Sequence, residues 1–232
     1  MKLNRNYKII IAADGSAASG KTTGARLISK KFGLKFMSSG LLYRFAAYLI
    51  LKNNPKNKII FLKNAFKRLN LNSLNKINLH TNKISEFTSV IAKQRKIRLI
   101  LKNYQIKFSK KYNKVCIEGR DIGTVILPKA DIKFFFKCDL NTAAKRRFKE
   151  LKKKGSKIKF DQVKKSLKIR NFRDITRKNS PLLKSKDAIV VDTGKIRNIP
   201  DMINKLSVII KSEIYRKYGN WTTKKKFRHC FL

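Results

Sequence analysis

The sequence predicts an α/β fold of three layers, in which helices cover both faces of a mostly parallel, doubly wound β-sheet. Two observations support this fold class. Short apolar segments, typical of buried strands, alternate along the chain with longer segments of helical spacing. The apolar run at residues 9–11 is uninterrupted, as expected for a strand covered on both faces. The chain has 232 residues, of which 42% are hydrophobic, so we expect one domain over 1–232 with a sizeable core.

Four segments have the composition of buried strands, and they are residues 7–13, 114–117, 132–138 and 188–191. Each is a short apolar run bounded by polar or turn-forming residues. A small loop, residues 14–20, follows the first of them. Their separation by helical segments favours parallel pairing, because parallel strands need long crossover connections.

The helical segments are residues 21–32, 39–52, 87–108, 140–154, 160–169 and 200–218. In the first, Ala25, Leu27, Ile28 and Phe32 are predicted to lie near one face, and Gly33 is a predicted stop. Gly155 similarly ends the fourth. Between residues 57 and 82 the pattern weakens, which predicts a small insert or an irregular segment. Residues 221–232 form a basic tail with no predicted element.

The chain is strongly basic, because 58 Lys and Arg against 13 Asp and Glu give 58 − 13 = +45. One explanation is a polyanionic partner, such as nucleic acid, an anionic membrane or nucleotide phosphates. The other is compositional drift, which the excess of Lys over Arg and the abundance of Asn, Ile and Phe favour. The cations are dispersed and form no evident stripe.

Several classes of protein are disfavoured by composition. No apolar run approaches the roughly 18–20 residues of a membrane span. The first apolar run is too short for a signal peptide. The cysteines are Cys116, Cys138 and Cys230, an odd and widely spaced set that matches neither a disulfide framework nor a zinc site. We therefore expect a cytoplasmic protein.

A phosphate-binding motif follows the first predicted strand. Residues 15–22, Gly-Ser-Ala-Ala-Ser-Gly-Lys-Thr, fit G-x-x-x-x-G-K-[ST] between a strand and a helix. Small residues let backbone N–H groups curl around phosphate oxygens, and the helix N-terminus adds partial positive charge. Lys21 would reach the β- and γ-phosphates of ATP, and Thr22 would bind Mg²⁺. The predicted ATP-binding residues are Gly15, Ser16, Ala17, Ala18, Ser19, Gly20, Lys21, Thr22 and Thr23.

Asp14 closes the first strand beside this loop, and its role has two interpretations. It could act on Mg²⁺ together with Thr22, directly or through water, or it could orient the loop backbone. No hydrophobic run ends in Asp to give a clear second metal-binding acid. The predicted strand at 114–117 is followed by Glu118, and the strand at 132–138 by Asp139.

Three further clusters combine arginine with hydroxyl or carboxylate groups. They are residues 38–44 (Ser-Ser-Gly-Leu-Leu-Tyr-Arg), residues 118–124 (Glu-Gly-Arg-Asp-Ile-Gly-Thr), and the run with Arg170, Arg173, Asp174 and Arg177. Arginine binds phosphate bidentately, while Asp accepts from amino or hydroxyl groups. Strand ends would bring the first two clusters to the carboxyl edge of the sheet, where ligands bind. Each cluster alone could also be a surface ion pair or a turn.

Together with the phosphate loop, these clusters resemble the bacterial-type cytidylate kinases. That family combines D-G-x-x-x-x-G-K, D-S-G-x-x-Y-R, G-R-D-x-G-T and R-x-x-R-D-x-x-R, the last leading to Pro-Leu, as Pro181-Leu182 does here. The likeness covers about residues 7–210. It implies a P-loop NTPase-like fold with a small insert, a mobile lid and transfer of the ATP γ-phosphoryl group to CMP or dCMP.

The resemblance also implies site residues. Lys21, Arg120, Arg177 and Asp14 would be catalytic. The implied CMP-binding residues are Ser39, Tyr43, Arg44, Ser89, Arg98, Arg120, Asp121, Arg170, Asp174 and Arg177. Asp121 is suited to accept a hydrogen bond from the cytosine amine. Arg146, Arg147 and Arg173 are either further phosphate ligands or members of a solvated helix face.

The resemblance implies an architecture and some departures from it. We expect a reduced monophosphate-binding insert at residues 55–85, a lid at 155–180 and a basic tail at 219–232. Ser38 stands where the family usually has Asp, His80 where Arg is usual, and Asn171 and Phe172 where acids are usual. The shortened insert would either weaken acceptor binding or be without consequence.

Two alternatives to this function remain. One is another small P-loop kinase, of nucleotides or of shikimate, which the Gly-Arg-Asp segment disfavours. The other is a basic nucleic-acid-binding protein, although no aromatic RNA motif or helix-turn-helix supports it. We expect the substrates ATP and CMP or dCMP with Mg²⁺, no specific nucleic acid, no membrane and a monomer.

Overall fold

A computed structural model describes residues 7–153 and 155–219. Five parallel strands form one sheet in the order β2-β3-β1-β4-β5. Their bounds are β1 Ile9–Gly15, β2 Lys35–Ser38, β3 Lys114–Gly119, β4 Ile132–Lys137 and β5 Ile189–Asp192. The predicted α/β class and mostly parallel sheet are confirmed. The predicted tail at 219–232 lies outside the described residues except for Gly219.

Helices follow the strands and cover both faces of the sheet. Their bounds are α1 Lys21–Phe32, α2 Ser39–Asn53, α3 Lys58–Lys67, α4 Asn82–Ile91, α5 Arg95–Lys111, α6 Leu140–Lys153, α7 Phe160–Thr176 and α8 Ile199–Tyr218. A short 3₁₀ helix occupies Leu71–Lys76, and a π-helical turn occupies Ile122–Ile126. In the ranges that the structure describes, no helix is both long and apolar enough to cross a membrane.

The central strand β1 shows why the sheet is buried on both sides. Its side chains alternate, so that Ile9, Ile11 and Ala13 pack with α1 and α8, while Ala12 packs with α2 and α5. The close approach of α1 to the sheet depends on Gly24, since a Cβ there would lie 2.9 Å from Phe136 Cε1.

A third, smaller apolar cluster joins α6 and α7 to the phosphate loop. Ala143 and Ala144 of α6 pack there with Val163 and Leu167 of α7 and with Ala17. The helices that would form the lid and its base are therefore anchored beside the end of β1. This packing places α7 over the carboxyl edge of the sheet.

The structure departs from the sequence predictions at several elements. Residues 58–67 form helix α3 rather than an irregular segment, and its N-cap Asn57 accepts from the N–H groups of Ile59 and Ile60. The helix predicted at 87–108 is two helices, because the chain turns between α4 and α5. Helix α7 continues to Thr176, seven residues beyond its predicted end. Strand β2 was not predicted.

Candidate active site

The phosphate loop connects the end of β1 to the start of α1. Gly15 is required where β1 meets β4, because a Cβ there would lie 2.2 Å from Phe136 O. Internal hydrogen bonds stabilise the loop, since Ser19 Oγ donates to Ser16 O (2.9 Å) and Lys21 Nζ donates to the same oxygen (3.2 Å). Gly20 adopts a φ of 79°, which favours glycine.

A cavity of about 430 Å³ opens at this loop and is strongly basic. Elements from four parts of the chain meet around it: the phosphate loop with α1, the ends of β2 and β3, the insert, and α6 with α7. Its lining includes seven cations, Lys21, Arg26, Arg44, Arg120, Arg146, Arg147 and Arg170, against two acids, Glu118 and Glu150. A cavity of this charge is suited to bind phosphate groups.

Lys21 is buried, and its surroundings disfavour its charge. Burial, followed by the charge of Arg120, lowers the pKa of Lys21 to about 7. Glu118 opposes this effect, because its Oε2 lies 3.9 Å from Lys21 Nζ. An anionic ligand in the cavity would restore the charged form of the lysine.

Glu118 is the principal site residue to which the sequence assigned no role. It lies in register with Ser38 of the neighbouring strand β2, and Ser38 Oγ donates to Glu118 Oε1. Glu118 is 3% exposed, so its carboxylate is fixed beside the cavity. The signal that could have identified it was an acid ending an apolar strand. Only the pairing of β3 with β1 shows that this acid faces the phosphate loop.

Asp14 is also buried, and both of its oxygens accept backbone hydrogen bonds. Ile122 N donates to Oδ1 (2.8 Å) and Gly123 N donates to Oδ2 (2.7 Å). Burial raises the pKa of Asp14 to about 6, although these two bonds oppose the rise. The contacts favour an orienting role for Asp14 over a metal-binding one, and the backbone it orients is the turn after β3 rather than the phosphate loop.

Beyond the phosphate loop, a chain of ion pairs links α5, the end of β3 and α7. Arg98 NH2 pairs with Asp121 Oδ2, and Arg177 NH2 lies 3.9 Å from Asp121 Oδ1. Asp174 lies at the centre of a second group, with Arg120 Nε at 2.7 Å and Arg177 NH1 at 3.6 Å. The structure therefore brings together five residues that the sequence placed in the acceptor site.

The charged groups of this ion-pair chain satisfy one another only in part. Burial alone would raise the pKa of Asp174, but Arg120, Arg170 and Arg177 together outweigh it and the pKa is lowered. Arg177 Nε donates to Ser180 O (2.6 Å), whereas its buried NH2 has no hydrogen-bond partner among the described residues. A buried guanidinium nitrogen without a hydrogen bond is costly, so this group is available to donate to a ligand.

Two further acceptor-site candidates from α2 approach these groups. The ring of Tyr43 lies under the Arg98 guanidinium, 5.5 Å from its centroid. Arg44 NH1 donates to Ser85 Oγ (2.7 Å) and to Leu79 O (3.0 Å), so the insert holds this arginine at the cavity. Burial lowers the pKa of Arg44 to about 10.

The remaining residues predicted for the acceptor site differ in how close they lie to the cavity and the ion-pair chain. Ser39 is buried against Gly119. Arg170 lines the cavity, and its own burial lowers its pKa to about 10. Ser89 donates to Ser85 O (3.5 Å) within α4, and in the described part of the chain it makes no direct bond to the ion-pair chain.

Arg146, Arg147 and Arg173, for which the sequence left two interpretations, differ in their positions. Arg146 and Arg147 line the cavity, whereas Arg173 is exposed and does not. Arg147 NH1 pairs with Glu150 Oε2 at 2.8 Å. For Arg173 the solvated-face interpretation is therefore the better one.

Comparison with known proteins identifies relatives over most of the chain. The family model described as cytidylate kinase matches residues 11–212. A cytidylate kinase of Bartonella tribocorum is 40% identical over 192 residues, which cover 81% of this chain and 87% of that protein. A cytidylate kinase of Fusobacterium nucleatum is 39% identical, covering 86% and 95%. One of Clostridium tetani is 34% identical, covering 93% and 99%.

Proposed function

The chain belongs to the cytidylate kinase family, and we propose that it transfers the γ-phosphoryl group of ATP to CMP or dCMP, giving ADP and CDP or dCDP. The observation that carries this proposal is the ion-pair chain of Arg98, Asp121, Arg177, Asp174 and Arg120, which adjoins the phosphate-loop cavity. The cavity suits a triphosphate, and the ion-pair chain offers charged groups for a base, a sugar and a monophosphate.

ATP binds with its phosphates on the backbone of the loop from Gly15 to Thr23. The N-terminus of α1 and the ammonium of Lys21 attract the phosphate oxygens. Asn171 Oδ1 of the lid already accepts from Ala17 N (3.0 Å), so the lid and the loop are in contact at this point. The predicted donor site is thus built from one continuous loop and closed by α7.

The acceptor binds against the ion-pair chain. Arg44, Arg120 and Arg177 clamp its phosphate, Asp121 accepts from the exocyclic amine of cytosine, and Arg170 with Asp174 lies near the ribose. Two observations support this assignment: within the described part of the chain the NH2 of Arg177 has no hydrogen-bond partner, and Arg44 lines the cavity. No general base is needed, because the attacking phosphate oxygen is already anionic.

Magnesium fits the residues at the start of α1. Across the described ranges, no group of three or more His, Cys, Asp and Glu side chains could hold a metal ion by itself. Mg²⁺ in kinases is held largely by the phosphates, with one or two protein oxygens. Thr22 would supply a hydroxyl, and Glu118, which lines the same cavity, a carboxylate. Bound there, Mg²⁺ would neutralise charge on the phosphates.

Catalysis then depends on positioning and on exclusion of water. The lid, residues 155–180, closes over two nucleotides held in line and prevents hydrolysis of ATP. The enzyme acts in the cytoplasm as a monomer, without a nucleic-acid or membrane partner. Its three widely spaced cysteines are consistent with a reducing compartment.

The direct test is product analysis after incubation of the protein with ATP, Mg²⁺ and CMP. We expect CDP and ADP in equal amounts, and loss of turnover by about 10³-fold in Lys21→Ala, which removes a group that stabilises the transferring phosphate. Lys30→Ala, an exposed lysine of the same helix, should retain full turnover. ADP without CDP, or equal turnover in all three proteins, would contradict the proposal.

A further inference from the structure

Thr193 connects parts of the molecule that the sequence motifs treat separately. It follows β5 and is 3% exposed. Its backbone N–H donates to Lys137 O (3.0 Å), which fixes it at the carboxyl edge where β4 and β5 end. The residue belongs to neither the phosphate-loop motif nor the arginine clusters.

The hydroxyl of Thr193 hydrogen-bonds to the phosphate loop from the end of β5. Thr193 Oγ1 donates to Ser19 O at 2.9 Å, whereas Lys137 O lies farther from the same oxygen, at 3.4 Å. The Ser19–Gly20 peptide is trans, so its carbonyl and its N–H point in opposite directions. Fixing the Ser19 carbonyl towards Thr193 therefore turns the Gly20 N–H away from β5, towards the cavity that Ser19 and Gly20 line.

The same residue also holds an arginine of α6. Arg146 NH1 donates to Thr193 Oγ1 (2.9 Å), and Arg146 NH2 donates to Thr193 O (2.8 Å). Two parallel bonds to one residue fix the plane of the guanidinium. Arg146 lines the cavity, so its charge is held at the donor site.

We propose that Thr193 is a positioning residue for the donor nucleotide. Its hydroxyl group sets the orientation of a phosphate-loop peptide, and its hydroxyl and carbonyl oxygens together hold a cavity arginine. It does not itself touch the acceptor half of the site, which is built from α2, α5, α7 and the turn after β3. This inference rests on the proposed function where it is tested by KM values. Its direct test, the affinity for an ATP analogue, depends only on ATP binding.

The test compares Thr193→Val, which removes the hydroxyl and keeps the branched shape, with Thr193→Ser, which keeps the hydroxyl. Affinity for a non-hydrolysable ATP analogue is measured by calorimetry, alongside KM for ATP and CMP. We expect Thr193→Val to weaken analogue binding and raise KM for ATP by about 10-fold, the effect of losing a buried hydrogen bond. KM for CMP should change less than about 2-fold, and Thr193→Ser should restore ATP affinity.

A double-mutant cycle with Arg146→Met adds an independent check. If Thr193 acts partly through Arg146, the two effects on ATP affinity will be less than additive. Thermal unfolding confirms that each variant is folded, and Thr193→Ala replaces Thr193→Val if the valine variant does not fold.

Unchanged analogue binding in Thr193→Val would overturn the proposal, and so would an equal rise in KM for ATP and CMP. Failure of the wild-type protein to phosphorylate CMP would instead contradict the proposed function. The binding comparison between the valine and serine variants would still decide the role of Thr193 in that case.

Discussion

Lys21 Nζ lies 3.9 Å from Glu118 Oε2, at the point where β1 and β3 end side by side. The two groups are separated by 97 residues in the sequence, and each is nearly inaccessible to solvent. The cationic end of the phosphate loop is therefore balanced by one buried acid from the neighbouring strand. The first two predictions follow from this pair.

Binding of ATP should be accompanied by proton uptake at Lys21. Burial and Arg120 lower its pKa to about 7 in the free protein, and triphosphate oxygens beside the ammonium would raise it again. At pH 8 the free lysine is mostly neutral and the bound one charged, so we expect about one proton per ATP. Calorimetry in buffers of different ionisation enthalpy measures this number. Lys21→Arg, whose guanidinium stays charged, should abolish the uptake, and persistence of uptake would show that another group titrates.

Glu118 should set the magnesium requirement of the enzyme. Glu118→Gln keeps an oxygen for the Ser38 hydrogen bond but removes the negative charge from the cavity that Thr22 also lines. We expect the Mg²⁺ concentration for half-maximal turnover to rise about 10-fold, because a carboxylate attracts a divalent cation far more strongly than an amide does. Glu150→Gln, the other acid of the cavity, should shift this concentration by less than about 2-fold. Equal behaviour of the two variants would remove Glu118 from the metal site.

Asp14 should act on the acceptor site through the turn that it holds. In Asp14→Asn only one oxygen remains, so one of the N–H groups of Ile122 and Gly123 loses its acceptor. We expect KM for CMP to rise about 10-fold, since Asp121 begins this turn, while the Mg²⁺ dependence stays unchanged. The measurement is a titration of each substrate and of Mg²⁺. A shift in the Mg²⁺ dependence would favour the metal-binding interpretation instead.

Removal of the Asp121 carboxylate should damage CMP use far more than ATP binding. Asp121→Ala removes the acidic partner of Arg98 and one of the two acidic partners of Arg177. It also removes the acceptor for the cytosine amine. We expect kcat/KM for CMP to fall at least about 100-fold, with ATP-analogue affinity within about 3-fold of wild type. Asp161→Ala, an exposed acid of α7, controls for the change in net charge. Equal losses for both nucleotides would show that Asp121 does not read the base.

Much of this site could be predicted from the sequence, because its parts are local. The phosphate loop depends on eight consecutive residues, and α1 begins and ends where the pattern indicates. The carboxyl-edge placement of Arg120 and Asp121 follows from parallel pairing alone. The ion pairs of Asp174 with Arg120 and Arg177 join clusters that the motifs had already identified.

The unpredicted parts depend on contacts between distant residues. Asp14 bonds to Ile122 across 108 positions, and Thr193 to Ser19 across 174, so no local pattern reveals either. Strand β2 has only four residues, too few for a clear alternation. Helix α3 begins at an Asn cap in a segment rich in Lys and Asn, where composition resembles that of a loop.

The acceptor preference tests the central claim most directly. With ATP and Mg²⁺ held constant, kcat/KM is measured for CMP, dCMP, UMP, AMP and shikimate. We predict that CMP or dCMP exceeds UMP and AMP by at least about 10-fold, because UMP presents a carbonyl where Asp121 needs an amine donor, and that shikimate is not phosphorylated. Turnover of UMP, AMP or shikimate equal to or above that of CMP and dCMP would contradict a cytidine-specific acceptor site.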